Sequence, residues 1–331
     1  MDFACSSFSW ETAEGLHLLG RTYDQVGGLG GNQVGLFPQG YPLPIEAAGG
    51  GLLRGRYAFA GMAVMELGSP VVVDGVNEQG LMGVLLNYPG YAQYPALPNR
   101  FPIYSGFLLW LLLSQCDSVE QAAQAAEKIC PVDYHIQGTE MQVHYMMCDA
   151  SGEAIILEPG ERGLEVYRQT LGVLTNSPDY LWQRTNLRNY VGITGKPKPP
   201  QSVCDFEISG FGADSGGCFG LPGGYSSPDR FVRLAFAKQF GVKVSGEEEG
   251  VAQMFRIFGP VDIPKGILGC NRPGDYMQTL CVNGMCSESR TYYFAPADNR
   301  RISALRVTSE AAAGSVRFFP IQEQQNIVYL N

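Results

Sequence analysis

The sequence predicts an α+β protein in which antiparallel sheets carry outer layers of helix. Three observations lead there: short β-rich runs are separated by turn residues along most of the chain, no fixed-period repeat interrupts them, and the helical patterns are few and grouped. Three hairpins can be named. Cys5 to Trp10 and Leu16 to Thr22 flank a turn centred near Ala13; Val143 to Cys148 and Ala154 to Glu158 flank Asp149 to Gly152; Thr291 to Ala295 and Ile302 to Val307 flank Asp298 and Asn299. A symmetric register in the first hairpin puts Cys5 opposite Arg21 on one face of the sheet.

Helices are predicted over Ile103 to Ser114, over Val119 to Ile129 with Ser118 and Gln121 in a capping-box arrangement, and from Pro228 to about Gln239. Ser227 is the predicted N-cap of the last, with Pro228 at its first helical position. The Gly/Pro-rich stretch from Val191 to Ser226 has little periodicity and reads as an ordered excursion or a partner-binding loop. Sandwich folds can reach 331 residues as one unit, so a single domain is expected.

A net charge of −9 argues against a nucleic-acid partner, which needs a surplus of lysine and arginine. The most apolar stretch, Gly106 to Leu113, is far short of the roughly 20 residues of a membrane span, and Asp2 stands where a signal peptide would be basic. A cytoplasmic protein without a membrane span is expected. The nine cysteines form no CxxC pair, so neither zinc nor a redox couple is indicated, and only His17, His135 and His144 could serve a Cys–His enzyme as base.

Cys5 offers a different chemistry. A guanidinium at Arg21 favours a neighbouring thiolate, and Asp24 lies within reach of a cationic amine. The alternative is an ordinary Arg–Asp pair beside a buried thiol. Only Met1 to Ala4 precede Cys5, so one cleavage after Ala4 exposes an α-amino group beside the thiol. Its ordinary pKa of about 7.7 to 8.0 leaves a useful fraction as free base, whereas a lysine near about 10.4 would need heavy perturbation. The chain is expected to cut itself, the Cys5 thiol attacking the preceding carbonyl. Asn87, closing the apolar run Leu85-Leu86, and Asn176 in Leu174-Thr175-Asn176-Ser177-Pro178 are candidate amide donors to an oxyanion, turn chemistry being the alternative for each. Arg230 occupies the first turn of its helix, where the macrodipole disfavours a cation; that points to a functional role or to a local pair with Asp229 or Asp214.

Taken together, Cys5-Ser6-Ser7, Gly20-Arg21-Thr22-Tyr23-Asp24, Val76-Asn77-Glu78-Gln79-Gly80-Leu81, Asn87-Tyr88-Pro89-Gly90-Tyr91, Gly172 to Pro178, Gly220-Leu221-Pro222-Gly223 and Ser227-Pro228-Asp229-Arg230-Phe231 resemble the choloylglycine hydrolases, over almost the whole chain. That family comprises conjugated bile acid hydrolases and penicillin V acylases among the N-terminal nucleophile amidases. The resemblance implies a four-layer αββα sandwich, usually a homotetramer, with 191–226 as its assembly loop, residues 1–4 as a leader removed on maturation and residues 5–331 as the hydrolase domain. It implies Cys5 as nucleophile and, through its amine, proton shuttle, with Asp24 holding that amine. Arg21 and Arg230 would order the thiolate and the reacting amide, and the Asn176 side chain and Asn87 backbone N–H would form the oxyanion hole.

No metal or cofactor is implied. The expected substrate is a small linear amide, a conjugated bile salt from which glycine or taurine is released. The Cys-Ser-Ser start resembles the penicillin V acylase branch, whose phenoxyacetyl amides are the second substrate reading; Asn87 resembles the bile salt hydrolases. Tyr23, Phe59, Met62 and Ile136 are candidates for an acyl pocket, with plain core as the alternative. Two readings of other classes stay open, a non-catalytic homologue with Cys5 still capped and a redox-sensing protein.

Overall fold

A computed structural model of the chain describes residues 3–46, 50–65, 69–133, 135–136, 139–210, 217–270 and 272–331. Among these residues the alternating apolar runs build two large sheets whose strand pairs are all antiparallel. The first has seven strands. Phe3–Glu11 (β1) and His17–Val26 (β2) lie at its centre, with Val173–Leu174 beside β1 and then Tyr276–Cys286, Thr291–Pro296 and Ser303–Arg306 beyond β2; Leu268–Gly269 also pairs on Tyr276–Cys286. The second, of nine, runs Gly163–Tyr167, Ala154–Gly160, Val143–Cys148, Met82–Asn87, Asp74–Asn77, Phe59–Val64, Gln33–Phe37 and Arg317–Pro320, with Val71–Val72 paired on Phe59–Val64.

The two sheets pack face to face, and each turns its outer face to helices. Ser105–Gln115 (α1) and Val119–Ala126 (α2) cover the second sheet, while Ser227–Phe240 (α4) and Glu247–Phe258 (α5) cover the first; Tyr180–Asn186 (α3) connects the layers beside α4. The architecture is the αββα sandwich. α1 is apolar nearly all round because it is buried nearly all round, with Trp110 wedged among Phe37, Tyr41 and Phe59. In β1 the period of two divides the residues between layers: Phe8 packs on Phe258 of α5, while Cys5 and Ser7 face the other sheet.

Local boundaries depart from expectation for physical reasons. α1 begins at Ser105 because Phe101–Tyr104 pairs in parallel with Ile129–Val132, and the same pairing ends α2 at Ala126 rather than Ile129. Ser118 does cap α2, accepting from the Gln121 amide, but the Gln121 side chain returns to the Asp117 amide one residue early. The N-cap of α4 is Ser226, not Ser227, which starts the helix. The first hairpin turns about Glu14 instead of Ala13, so Cys5 lies opposite Tyr23 and Arg21 opposite Ser7. A shift of two residues preserves the face, so Arg21 remains the diagonal neighbour of Cys5. Within the 191–226 excursion the described residues carry a small hairpin, Gln201–Val203 with Phe206–Ile208, whose side chains are all exposed.

Within the second sheet, Phe59–Val64 and its neighbour Asp74–Asn77 approach closely. A Cβ on Gly61 would fall 2.0 Å from the Asp74 carbonyl oxygen and 2.8 Å from Gly75 Cα. Backbone rather than a flexible side chain is in the way, so Gly61→Ala should cost about 1–3 kcal/mol of unfolding free energy. A lowered denaturation midpoint with an unchanged slope is expected; an unchanged midpoint would contradict this packing.

Candidate active site

β1 and β2 place charged side chains on both faces of the first sheet, with the Cys5 backbone between them. On the inter-sheet face, Arg21 is 1% exposed and Nη2 donates to Cys5 Sγ at 2.7 Å. A guanidinium survives burial only if its donors are used. Here Nε donates to the Thr22 carbonyl at 3.2 Å, and Nη1 donates to the carbonyls of Val73 at 2.9 Å and Leu85 at 3.1 Å. Asp74 supplies countercharge 3.8 Å away, and the cation lies over the Tyr23 ring. Asp74 is itself held by the Met62 amide, the Tyr292 hydroxyl and the Asn283 side-chain amide.

On the helix face stand Ser6, Thr22 and Asp24, and Arg230 reaches them from α4. Arg230 Nη1 donates to the Cys5 carbonyl at 2.5 Å and to Ser6 Oγ at 2.6 Å; Nη2 donates to Asn176 Oδ1 at 2.6 Å, and Nε to the Tyr225 carbonyl at 3.0 Å. Its countercharge is Asp24, 4.0 Å away and fully buried, which accepts from the hydroxyls of Thr22 at 3.0 Å and Thr279 at 2.7 Å. The oddly placed cation of the first helical turn therefore serves the site. Asp229 instead accepts from the Ser226 hydroxyl, and Asp214 lies outside the described residues.

Asn176 closes the arrangement. Its Oδ1 accepts from the Cys5 amide at 3.0 Å and from Arg230, which fixes the orientation of the amide, so Nδ2 must point the other way, where it donates to the Asn87 carbonyl at 2.8 Å. The second Nδ2 hydrogen has no partner among the described residues. The Asn87 carbonyl, not its N–H, is thus the group that meets Asn176. Ser227, released from capping, accepts from the Asn176 amide at 2.9 Å and bonds the Thr175 hydroxyl, while Gln183 donates to it at 3.1 Å.

Burial pushes the Cys5 thiol up, against the lowering pull of Arg21, so in the uncut chain the sulfur keeps its proton. Burial also raises Asp24, to about 6, with Arg230 and Thr279 opposing it. For Arg21, burial is outweighed by Cys5 and Asp74 and the net shift is upward; for Arg230 burial prevails and the shift is downward. Desolvation is thus the leading cause at all four groups, and a positive charge arriving beside Asp24 would relieve it there.

All six residues expected in the chemistry, Cys5, Arg21, Asp24, Asn87, Asn176 and Arg230, converge on this one place. The pocket candidates do not behave alike. Phe59 stacks on Phe37 at 4.6 Å on the α1 side of the second sheet, and Met62 is fully buried with its sulfur against Asn283, so both sit in packed core; Tyr23 lies under Arg21. Ile136 falls in a two-residue strand whose side chains lie outside those described. Sequence reading missed Thr22, Thr279, Ser227, Gln183 and Asp74. Thr22 carried a local signal, its period-two spacing from Asp24, and Gln183 lies 7 residues from Asn176; Ser227, Asp74 and Thr279 come from 51, 53 and 255 residues away.

Comparison with known proteins decides the family. The model of the linear amide C–N hydrolases, choloylglycine hydrolase family, matches residues 5–315. The chain belongs to the choloylglycine hydrolases. It is 30% identical, over 99% of its own length and 100% of the relative's, to bile salt hydrolase/transferase of Clostridium perfringens, and 30% identical, over 87% and 91%, to conjugated bile acid hydrolase of Lactobacillus gasseri. The crystal structure of a mutant conjugated bile acid hydrolase from Clostridium perfringens superposes with a TM-score of 0.88 at 26% identity, covering 99% of this chain and 100% of that one. Penicillin V acylase from Agrobacterium tumefaciens shares the fold at 0.75 and 20% identity, over 95% and 90%. This choloylglycine hydrolase therefore acts on linear amides.

In this family member Asp24 binds its proton more readily folded than unfolded. It thus contributes stability that is complete below its ordinary value of 3.8 and is lost as pH rises through about 6. For uncut protein, such as Cys5→Ala, stability should fall across that window relative to the same chain carrying Asp24→Asn. Parallel stability curves for the two would show that Asp24 is not held up by burial.

Proposed function

We propose that the chain is an N-terminal-cysteine amidase that hydrolyses conjugated bile salts, releasing glycine or taurine from the bile acid. The observation that carries the reading is the convergence of Arg21 on the Cys5 sulfur and of Arg230 and Asn176 on the Cys5 backbone, in a site whose burial leaves the thiol protonated until a base is at hand.

Maturation supplies that base. The Cys5 thiol adds to the Ala4 carbonyl as its proton passes to the departing nitrogen, the Ala4–Cys5 C–N bond breaks, and water hydrolyses the resulting thioester. Met1 to Ala4 leave with a terminal carboxylate and Cys5 gains a free α-amino group. The family match beginning at Cys5 supports this boundary. The new ammonium would stand across from Asp24, which pairs with Ala4 on the neighbouring strand, and would draw its carboxyl back toward the ionised state.

In turnover the α-amine takes the thiol proton, the sulfur attacks the substrate carbonyl, and the oxyanion is met by the Asn176 side chain and the Asn87 backbone. The ammonium then protonates the leaving amine, and water, activated by the same amine, clears the thioester. Arg21 stabilises the thiolate without needing to move. The bile salt assignment rests on the names of the relatives matched over nearly the full chain.

Four copies are proposed to assemble through the 191–226 excursion, whose Val203, Phe206, Ile208 and Phe219 are exposed apolar side chains. The proposed location is the cytoplasm; among the described residues no helix is long and apolar enough to cross a membrane.

Wild-type protein should lose residues 1–4 by intact mass, Cys5→Ala should keep them and be inactive, and glycocholate or taurocholate should be cleaved faster than penicillin V. Turnover by protein still carrying Met1 to Ala4 would overturn the mechanism, and faster penicillin V cleavage would overturn the substrate. Asn176→Ala should lose about 10²–10³ in kcat if its amide meets the oxyanion. Phe206→Asp should lower the assembled mass in light scattering, and a wild type that is already monomeric would refute the assembly reading.

A further inference from the structure

A second buried polar cluster lies directly behind the two asparagines. His144, on the Val143–Cys148 strand, is fully buried, and its neighbours account for both ring nitrogens: Nδ1 faces Glu158 Oε1 at 3.1 Å and Nε2 faces the Thr175 carbonyl at 2.9 Å. A carbonyl only accepts, so Nε2 is the donor to Thr175, while Nδ1 is bonded to the Glu158 carboxyl. The pair is therefore a doubly hydrogen-bonded unit rather than a stray core histidine.

Glu158 is a hub. Besides His144 it accepts from the Tyr180 amide, with both oxygens at 3.1 and 3.2 Å, and the Tyr88 phenol lies close by, its hydroxyl pushed up by burial and by this carboxyl. The Tyr88 ring in turn stacks on the His144 imidazole, with centroids 4.4 Å apart and planes 11° from parallel. Tyr88 follows Asn87 and Thr175 precedes Asn176. The cluster thus grips both asparagines by their chain neighbours, one from each sheet, across the interior of the sandwich.

We propose that His144 and Glu158 are positioning residues for the oxyanion-binding pair, setting the separation of the Asn87 backbone from the Asn176 amide by tying Tyr88 and Thr175 to one imidazole–carboxylate unit. This rests on reading Asn87 and Asn176 as oxyanion donors. Among the described residues no hydrogen bond or ion pair joins His144 or Glu158 to Cys5, Arg21 or Arg230, so sulfur reactivity is a separable property. His144→Phe keeps the ring and its stacking but cannot donate to Thr175; His144→Gln restores a donor at that distance. Tyr88→Phe removes only the hydroxyl and is the mildest probe.

The test is steady-state kinetics on mature protein, alkylation of Cys5 by iodoacetamide, and amide hydrogen exchange of the 85–92 and 172–180 segments. His144→Phe should lower kcat by about 10²-fold with KM within about twofold, as expected for a donor displaced by about 1 Å. His144→Gln should recover part of the loss, Tyr88→Phe should lose less than either, alkylation rates should stay at the wild-type level, and exchange should rise in the two segments only. Unchanged kcat in His144→Phe, or equal loss of alkylation and turnover, would overturn the proposal. Wild-type protein that cleaves no linear amide would sink the functional reading instead, and the positioning claim would then fail on exchange alone if the two segments stayed protected.

Discussion

One buried cation ties this site together. Arg230 donates to the Cys5 carbonyl, to Ser6 and to Asn176 while standing 4.0 Å from Asp24, so a single guanidinium joins the Cys5 backbone, the Asn176 amide and the carboxyl opposite Ala4. Taking such a group out of water is unfavourable by several kcal/mol unless its donors and charge are matched, and removing one partner of a buried pair costs about 3–5 kcal/mol. The converse is rigidity: because four of its five donors are committed, one of them to Asn176 Oδ1, the amide of Asn176 has one orientation. The same logic repeats across the sheet, where Arg21 spends three donors on carbonyls and keeps Nη2 for sulfur.

The sandwich makes this possible by letting one strand present opposite neighbours. Strand alternation sends Cys5 toward the second sheet and Ser6 toward α4, so Arg21 and Arg230 approach the same residue from two layers without meeting. Val73 and Leu85, whose carbonyls hold Arg21, come from the second sheet, so sheet packing and thiolate orientation are one constraint. The His144–Glu158 unit extends that constraint to the far side of the site. The proposed chemistry, which needs a thiol, a new amine and an oriented amide, would thereby be set by the fold before substrate arrives.

What was legible in the sequence was local. The Asp149 and Asp298 turns and the grouped helices could be read because turn chemistry, capping and periodicity act over a few residues. The register of the first hairpin was off by two, which cost nothing on the face assignment because the strand period is two. Ser226 displaced Ser227 as cap because either serine satisfies the cap chemistry, and only the distant demand of Asn176 for an acceptor at Ser227 separates them. Thr279, 255 residues from Asp24, and Asp74, 53 from Arg21, left no local trace. His144 was visible only as one of three scarce histidines; the hairpin pairing it with Glu158 was predicted, but the sheet-to-sheet contact with Thr175 was not.

The central claim is that the base is the α-amino nitrogen of Cys5. It is tested most directly by acetylating α-amines near neutral pH, which removes the basicity of the nitrogen, and freeing any S-acetylated thiol with hydroxylamine, with the modified N-terminal peptide identified by mass spectrometry and turnover followed on the same sample. The account predicts label on the Cys5 nitrogen and activity lost in proportion to it, restored when a bound substrate analogue shields the site during labelling. Full activity in protein whose Cys5 nitrogen is quantitatively modified, or still held in a peptide bond, would contradict it.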